Sequence, residues 1–590
     1  MIARLWRLLE PTERRRVLGI VPLLMVSALV EVVGVAAVIP FLALLADPDS
    51  VRTLPVVGPW VVASGVEDAA VLLRWAGAVL ALTLVLANGV VMATQWWLLR
   101  FAWSTNHAIS SRLVRHYLSQ PYAFVLDRNT AELANRVVTV VRQVIENGVR
   151  AALNIVSRSV VIVAIVAFLV VLNPVTAAVA FATMASVYGT IFMVSRRYLR
   201  RIGNDSVTTG SARLKAVNEA LGGFKDLRVA GREASAYRQF LGPSQRFGEI
   251  EAGWNAVATL PRYALEAVAV GGLVLIASLM SGTGQGVTGT LPLLGAYAFA
   301  GLRMMPAIQA LFGAISRMRF ASGSLDAIEA DFGFTGDLEP VTDDEPTAMA
   351  FDTAIELRDV RFGYAAADGP ALAGVSLTIA KHRSLAIVGR TGSGKTTLVD
   401  VLLGLLTPQS GTVLVDGEPV AADQRRSYRR LFGYVPQSIY LLDDTIERNV
   451  AFGLAPDEID PEAVRRACRE AQIADFIEAE LPQGYATEVG ERGVRLSGGQ
   501  RQRIGIARAL YHQPAVLVFD EATSALDVHT EQLVYQALEG IARERTVVTI
   551  AHRLETVANS DHVVVLDRGR VVDEGPPGAV LDRYRGEAVV

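Results

Sequence analysis

The octapeptide Gly389-Arg390-Thr391-Gly392-Ser393-Gly394-Lys395-Thr396 follows an apolar run, Ser384–Val388, and leads into a helical pattern, Thr397–Leu405. Strand, glycine-rich loop and helix in that order are what binding a polyphosphate requires. The glycines let backbone N–H groups approach phosphate oxygens, and the helix N-terminus adds a favourable dipole. Lys395 can reach the terminal phosphates and Thr396 can ligate magnesium, with Thr397 closing the run. A second apolar run, Ala515–Phe519, ends in Asp520-Glu521. One carboxylate there suits the magnesium shell, and the other can polarise an attacking water. By itself an acidic pair after a strand is an ordinary solvated strand end. Paired with the phosphate loop it reads as ATP hydrolysis with ATP and Mg2+ as the bound species.

Something must hold these groups, and 590 residues are too many for one ordinary core. Hydrophobic residues make up 51% of the chain and charged ones 19%, a balance leaning toward the membrane. The formal net charge of -3 gives no reason to expect nucleic acid. The single cysteine, Cys468, excludes a disulfide framework and any multi-cysteine metal site, and reads as a structural thiol. Six apolar stretches are long enough to cross a bilayer: Val17–Leu45, Val71–Leu99, Ala152–Leu172, Val175–Val194, Tyr263–Met280 and Leu291–Ile315. Arginines precede the first, but its apolar run far exceeds a cleavable signal core, so it reads as a retained span.

Arginine placement orients the spans. Arg4, Arg7, Arg14, Arg15 and Arg16 precede span one, Arg112, Arg115, Arg128, Arg136 and Arg142 separate spans two and three, and Arg196, Arg197, Arg200 and Arg201 follow span four. These segments belong inside by the positive-inside rule. The intervening connections at 47–68, 173–174 and 281–290 carry only Arg52 and belong outside. Helical patterning in the two long inner connections predicts spans that continue past the bilayer as extended helices. The expected layout is a six-helix polytopic α-helical membrane domain over 1–332, an acidic, turn-rich linker over 333–353, and an α/β phosphate-loop nucleotide-binding domain over 354–590. The chain is expected in the cell inner (plasma) membrane as a multi-pass protein, with the nucleotide-binding domain cytoplasmic.

Between loop and carboxylates lies Leu496-Ser497-Gly498-Gly499-Gln500, followed by Arg501-Gln502-Arg503. Small residues and free N–H groups at a helix start suit an anion. With this pentapeptide the sequence resembles the ATP-binding cassette transporter superfamily, of which it is the signature. The resemblance implies that Ser497, Gly498, Gly499 and Gln500 contact the nucleotide held by a second cassette. It further implies that Tyr364 stacks on adenine, that Gln437 senses magnesium and the membrane domain, and that His552 contacts the terminal phosphate. Ser524-Ala-Leu-Asp527 resembles the loop crossing the subunit interface, and Thr487–Gly493 resembles a segment by which exporters touch the helical arms. Glu132 and the run Glu219–Arg228 lie where that family places two short coupling helices. One chain has one phosphate loop and one signature, so the resemblance implies pairing, most simply as a homodimer, with a heterodimer as the alternative.

Charges inside spans are costly and face a cavity or a partner. Glu31 and Arg303 sit near the middles of the first and sixth spans, either facing cargo or pairing with each other, whereas Arg74, Arg158 and Glu266 lie nearer span ends and read as snorkelling. The first span, the outer segment 54–66 with Trp60, and Arg303-Met-Met-Pro resemble bacterial flippases of lipid-linked oligosaccharides. That resemblance implies a lipid-linked, pyrophosphate-bearing cargo for which Arg303 supplies a charge. The expected function is an ATP-hydrolysing exporter or flippase for amphipathic or lipid-linked cargo. The alternatives are a drug, peptide or lipid exporter and, in another class, an ATP-gated channel or regulator.

Overall fold

The computed structural model describes residues 1–38, 68–126, 128–172, 174–281, 287–334, 338–342, 346–364, 369–520, 544–551 and 557–583, with isolated positions between 39 and 67. The chain divides into two compact units, Met1–Gln120 with Phe124–Val341, and Pro121–Ala123 with Thr342–Val590.

The first unit is helical. After α1 (Ile2–Leu8), the apolar stretches fall on long helices, the first of them over its described residues up to Ala36: α2 (Pro11–Ala36), α3 (Ala69–Leu118), α6 (Arg150–Leu172), α7 (Pro174–Gly222), α9 (Glu233–Ser281) and α10 (Val287–Phe320). Among the described residues, 11–34, 70–118 and 130–171 are long and apolar enough to cross a membrane. The 50 residues of α3 span about 75 Å at the helical rise, more than twice a hydrocarbon core. Val79, Leu82, Val85, Leu86 and Met92 of α3 are all exposed, an apolar surface on a helix long and apolar enough to cross a membrane. Short helices fill the connections: α4 (Tyr122–Leu126), α5 (Thr130–Asn135) and α8 (Phe224–Val229). Asn129 starts α5 by accepting from Ala131 N at 2.9 Å, and two wide π turns, Arg136–Val140 and Ile145–Val149, carry the chain on into α6. The unit closes with α11 (Ser322–Phe332), whose Leu325 and Ile328 join Leu98, Phe101, Ile109, Leu113, Val141 and Val144 in one core.

The second unit is α/β, with two sheets. Strands β1 (Ala354–Phe362), β2 (Leu372–Ala380), β4 (Ser410–Val415) and β5 (Glu418–Pro419) form an antiparallel sheet in the order β2-β1-β4-β5. The larger sheet runs β10-β9-β3-β8-β7-β6, from Arg570–Gly575, His562–Asp567, Ser384–Val388, Thr546–Ile550, Val516–Asp520 and Phe432–Val435. All neighbours in it are parallel except β10 with β9. Strands β3, β7 and β9 are almost wholly buried, as expected for a parallel sheet covered on both faces. Cys468 lies in the neighbouring helical core at 0% exposure, and burial pushes its thiol up to about 12, so it is an inert packing residue.

Candidate nucleotide site

Ligands of open parallel sheets gather beyond the carboxyl ends of the strands, and the two chemistry-bearing segments both start there. The phosphate loop leaves β3 at Val388 and the acidic pair ends β7 at Asp520, with β8 between the two strands. The loop then enters α12 (Lys395–Leu402), whose N-cap is Gly394 at a φ of 102°. At Gly389, φ is 154° and a Cβ would lie 2.2 Å from the carbonyl oxygen of Leu566. At Gly394 the corresponding approach to Ala371 O is 2.5 Å. No other residue type fits either place.

The Lys395 ammonium is buried and donates to the carbonyl oxygens of Gly389 at 2.6 Å and Arg390 at 3.1 Å. It therefore folds back over the loop's own backbone. Ser393 Oγ is buried with no hydrogen-bond partner among the described residues, a polar atom at a loop whose expected occupant is anionic. Thr391, Gly392 and Thr396 are exposed, as is Arg390, while Thr397 is buried. Thr397 Oγ1 lies 3.1 Å from Tyr364 Oη. Tyr364, the residue expected on adenine, stands edge-to-face on Phe362 with ring centroids 5.1 Å apart. Thr396 and Asp520 offer a hydroxyl and a carboxylate, the hard oxygen donors that magnesium prefers. The residues present thus fit a magnesium nucleotide.

Asp400 and Tyr434 extend the site beyond the sequence reading. Tyr434 donates to Asp520 Oδ2 at 3.3 Å, and burial together with the Asp520 charge raises the Tyr434 hydroxyl above its ordinary range. Asp400 is 8% exposed on α12. Burial first, and the charge of Asp520 second, push its carboxyl up to about 6. The available signal was an acidic residue one helical turn after Thr396. A folded-state value raised above the unfolded one gives stability that is complete below about pH 4 and lost as pH rises through about 6. Nucleotide-free Asp400→Asn protein is therefore expected to melt higher than the parent at pH 7.5, by on the order of 1–3 kcal/mol, with the gap closing by pH 4. Thermal midpoints measured at both pH values check this.

Ser497 caps α13 (Gly498–Tyr511): its Oγ accepts from Gln500 N at 3.2 Å and Gln500 Oε1 accepts from Ser497 N at 2.8 Å. The reciprocal box ties down Gln500 and leaves Gly498 at the first helical position. Further along α13, Arg508 donates to Tyr440 O at 2.7 Å and Asn449 O at 2.8 Å, linking this helix to the segment that follows the exposed Gln437. Thr487–Gly493 is anchored by Ile446 N on Thr487 O and Val489 N on Asp444 O, at 3.0 and 3.1 Å. Glu521, Ser524–Asp527 and His552 lie outside the described residues, as does the outer segment 54–66 apart from isolated positions.

In the first unit, Glu31 is 7% exposed, and its Oε1 lies 3.4 Å from Arg158 Nη1. Arg158 is therefore not a snorkelling residue, because a buried carboxylate one helix away holds it. The side chain of Arg303 lies outside the described ones.

Fold and site together define a phosphate-loop ATPase joined to a helical membrane domain. Residues 372–524 match the family model described as ABC transporter, and residues 54–251 match the ABC transporter transmembrane region. The chain is 32% identical over 515 residues to an ATP-dependent lipid A-core flippase of Burkholderia orbicola, covering 86% of this chain and 84% of that protein. It is 33% identical over 466 residues to the flippase of the same description from Cupriavidus metallidurans. The solved structure of a bacterial Atm1-family ABC exporter with ATP bound superposes with a TM-score of 0.76 at 26% identity, covering 98% of this chain and 97% of that one. The chain belongs to the ABC transporter family, with the exporter arrangement of membrane region and cassette in one polypeptide.

Proposed function

We propose that two copies of this chain form an ATP-driven flippase that moves a phosphorylated glycolipid from the inner leaflet of the plasma membrane outward. The observation that carries this reading is the similarity to lipid A-core flippases across both halves, 515 residues in all. A cassette match alone would leave the cargo open, since the cassette is shared by transporters of every cargo. In this reading Lys395, Gly389, Gly392, Gly394 and the exposed Thr391 and Thr396 hold the nucleotide phosphates, and Thr396 and Asp520 hold magnesium. Glu521 positions the attacking water, Gln437 senses magnesium and the membrane domain, and His552 contacts the terminal phosphate. Ser497, Gly498 and Gly499 are supplied by the partner copy, so that two competent sites form in a homodimer.

Magnesium, when bound, neutralises charge on the phosphates. The chain's own contribution is positioning: the loop fixes the phosphates, Lys395 offsets developing negative charge, and Glu521 orients the water. Arg303 is the residue proposed to meet a cargo phosphate by a charge-assisted contact. The test is ATPase activity in proteoliposomes titrated with a lipid A-core glycolipid, a neutral diacylglycerolipid and a cationic amphiphile. Stimulation several-fold by the phosphorylated glycolipid, lost in Arg303→Ala while basal turnover persists, is expected. Stimulation by the cationic or neutral lipid alone would sink the assignment and favour a drug or general lipid exporter.

A further inference from the structure

The polypeptide passes between its two compact units three times, at 120/121, 123/124 and 341/342. Residues flanking the first two crossings meet at one buried carboxylate of the first unit, Asp331, which lies ten residues before the third. It lies six residues after Leu325 and three after Ile328 on the buried face of α11, at 1% exposure. An apolar residue would be the inexpensive choice there, and a negative charge in the last turn of a helix opposes the helix dipole. The carboxylate is nonetheless fully engaged.

Tyr117 Oη, from the chain before the first crossing, donates to Asp331 Oδ2 at 2.6 Å. Arg136 and Arg128, from the chain after the second crossing, both donate to Oδ1, Arg128 at 3.4 Å. His116 Nε2 lies 2.9 Å from the Asp331 carbonyl oxygen. Arg136 also pairs with Glu132 at 2.6 Å, so two carboxylates face two guanidinium groups. A second layer continues toward the third crossing. The Arg128 guanidinium stacks over the Phe124 ring at 4.3 Å and reaches Phe334 at 5.8 Å, and the two rings are 5.0 Å apart. Beyond them Glu339 N donates to Ser119 O at 2.8 Å. Asp331, Phe334 and Glu339 are thus each tied to the segment carrying α4, so that Phe334 and Glu339, within the stretch expected to act as a linker from Gly333 onward, are held.

We infer that Asp331 is a positioning residue for coupled transport: it holds the three crossings at fixed spacing, so that movement of the nucleotide-binding unit during turnover is delivered to the spanning helices instead of being taken up by slack in the linker. A residue that only stabilised the fold would scale hydrolysis and membrane-domain movement down together. Asp331 should separate them, because the nucleotide site contains none of its partners.

The experiment uses the full chain in nanodiscs with a spin label at Ala70→Cys, an exposed position at the head of α3. The native Cys468 is buried and will not take the label. Label-to-label distances between paired copies are measured nucleotide-free and after trapping with ATP and vanadate. In the otherwise unchanged chain trapping is expected to shift the distance distribution. In Asp331→Asn, basal ATPase should stay within about twofold while the shift is lost, and Asp331→Glu should restore part of it. Arg128→Gln removes the more exposed arginine and should give the same separation in milder form, which keeps the test valid if Asp331→Asn does not fold. A full distance shift in Arg128→Gln and Asp331→Asn, or loss of shift only in proportion to lost ATPase, would overturn the inference. The readout uses no transported lipid, so it stands or falls separately from the cargo assignment.

Discussion

Lys395→Ala is expected to lower ATP turnover on the order of 10²–10³-fold, the loss usual for removing one preorganised group that stabilises transition-state charge. The buried Lys395 ammonium donates to two carbonyls of its own loop, Gly389 O and Arg390 O. Those contacts hold the side chain along the loop where phosphates are to be met, and they can be exchanged for phosphate oxygens without rebuilding the fold. Alanine removes the charge and leaves the two carbonyls without this donor, so a modest fall in the cassette's melting temperature should accompany the kinetic loss. Glu521→Gln makes the contrasting case. It removes the group proposed to position water but leaves the phosphate loop intact, so turnover should fall by a similar factor while ATP affinity is kept. Fluorescent-nucleotide binding beside phosphate release separates the two variants. Multiple turnover at the parental rate in Glu521→Gln would remove it from the catalytic assignment.

The contrast between these residues also marks what could be read from the sequence. The phosphate loop was legible because its glycines, lysine and threonine are contiguous, and a local strand–loop–helix places them with no help from distant chain. The long helices were legible for the same reason, since twenty apolar residues report on the bilayer rather than on any partner. Asp400 and Asp331 were not legible. Each is an ordinary acidic residue in a helix until residues far away in sequence reach it: Asp520 in one case, Tyr117, Arg128 and Arg136 in the other. Arg158 failed for a related reason. Distance from a span end suggested snorkelling, but only the packing of α2 against α6 reveals the carboxylate waiting for it.

That pair carries the second large expectation. Glu31 and Arg158 lie beside an apolar cluster containing Ala28, Val161, Ile162, Ile165, Met304 and Ala307, and the Glu31 side chain is 8% exposed against 20% for Arg158. In such surroundings the attraction between the charges does little more than offset their desolvation, whereas deleting one partner strands the other. Glu31→Ala and Arg158→Leu should therefore each destabilise the membrane domain by about 2–4 kcal/mol, somewhat below the range for fully buried pairs because Arg158 is partly exposed. The double variant should lose less than either single one. The measurement is thermal inactivation of ATPase in nanodiscs for the parent, both singles and the double, taken as a cycle. If the double variant's loss equals the sum of the single losses, the pair is not coupled, and Glu31 must be buried for another purpose, such as meeting cargo. A strong coupling would mean that the negative charge of Glu31 is already balanced within the protein. Glu31 would then not be the counter-charge of Arg303, as the proposed recognition of a phosphorylated glycolipid by Arg303 requires.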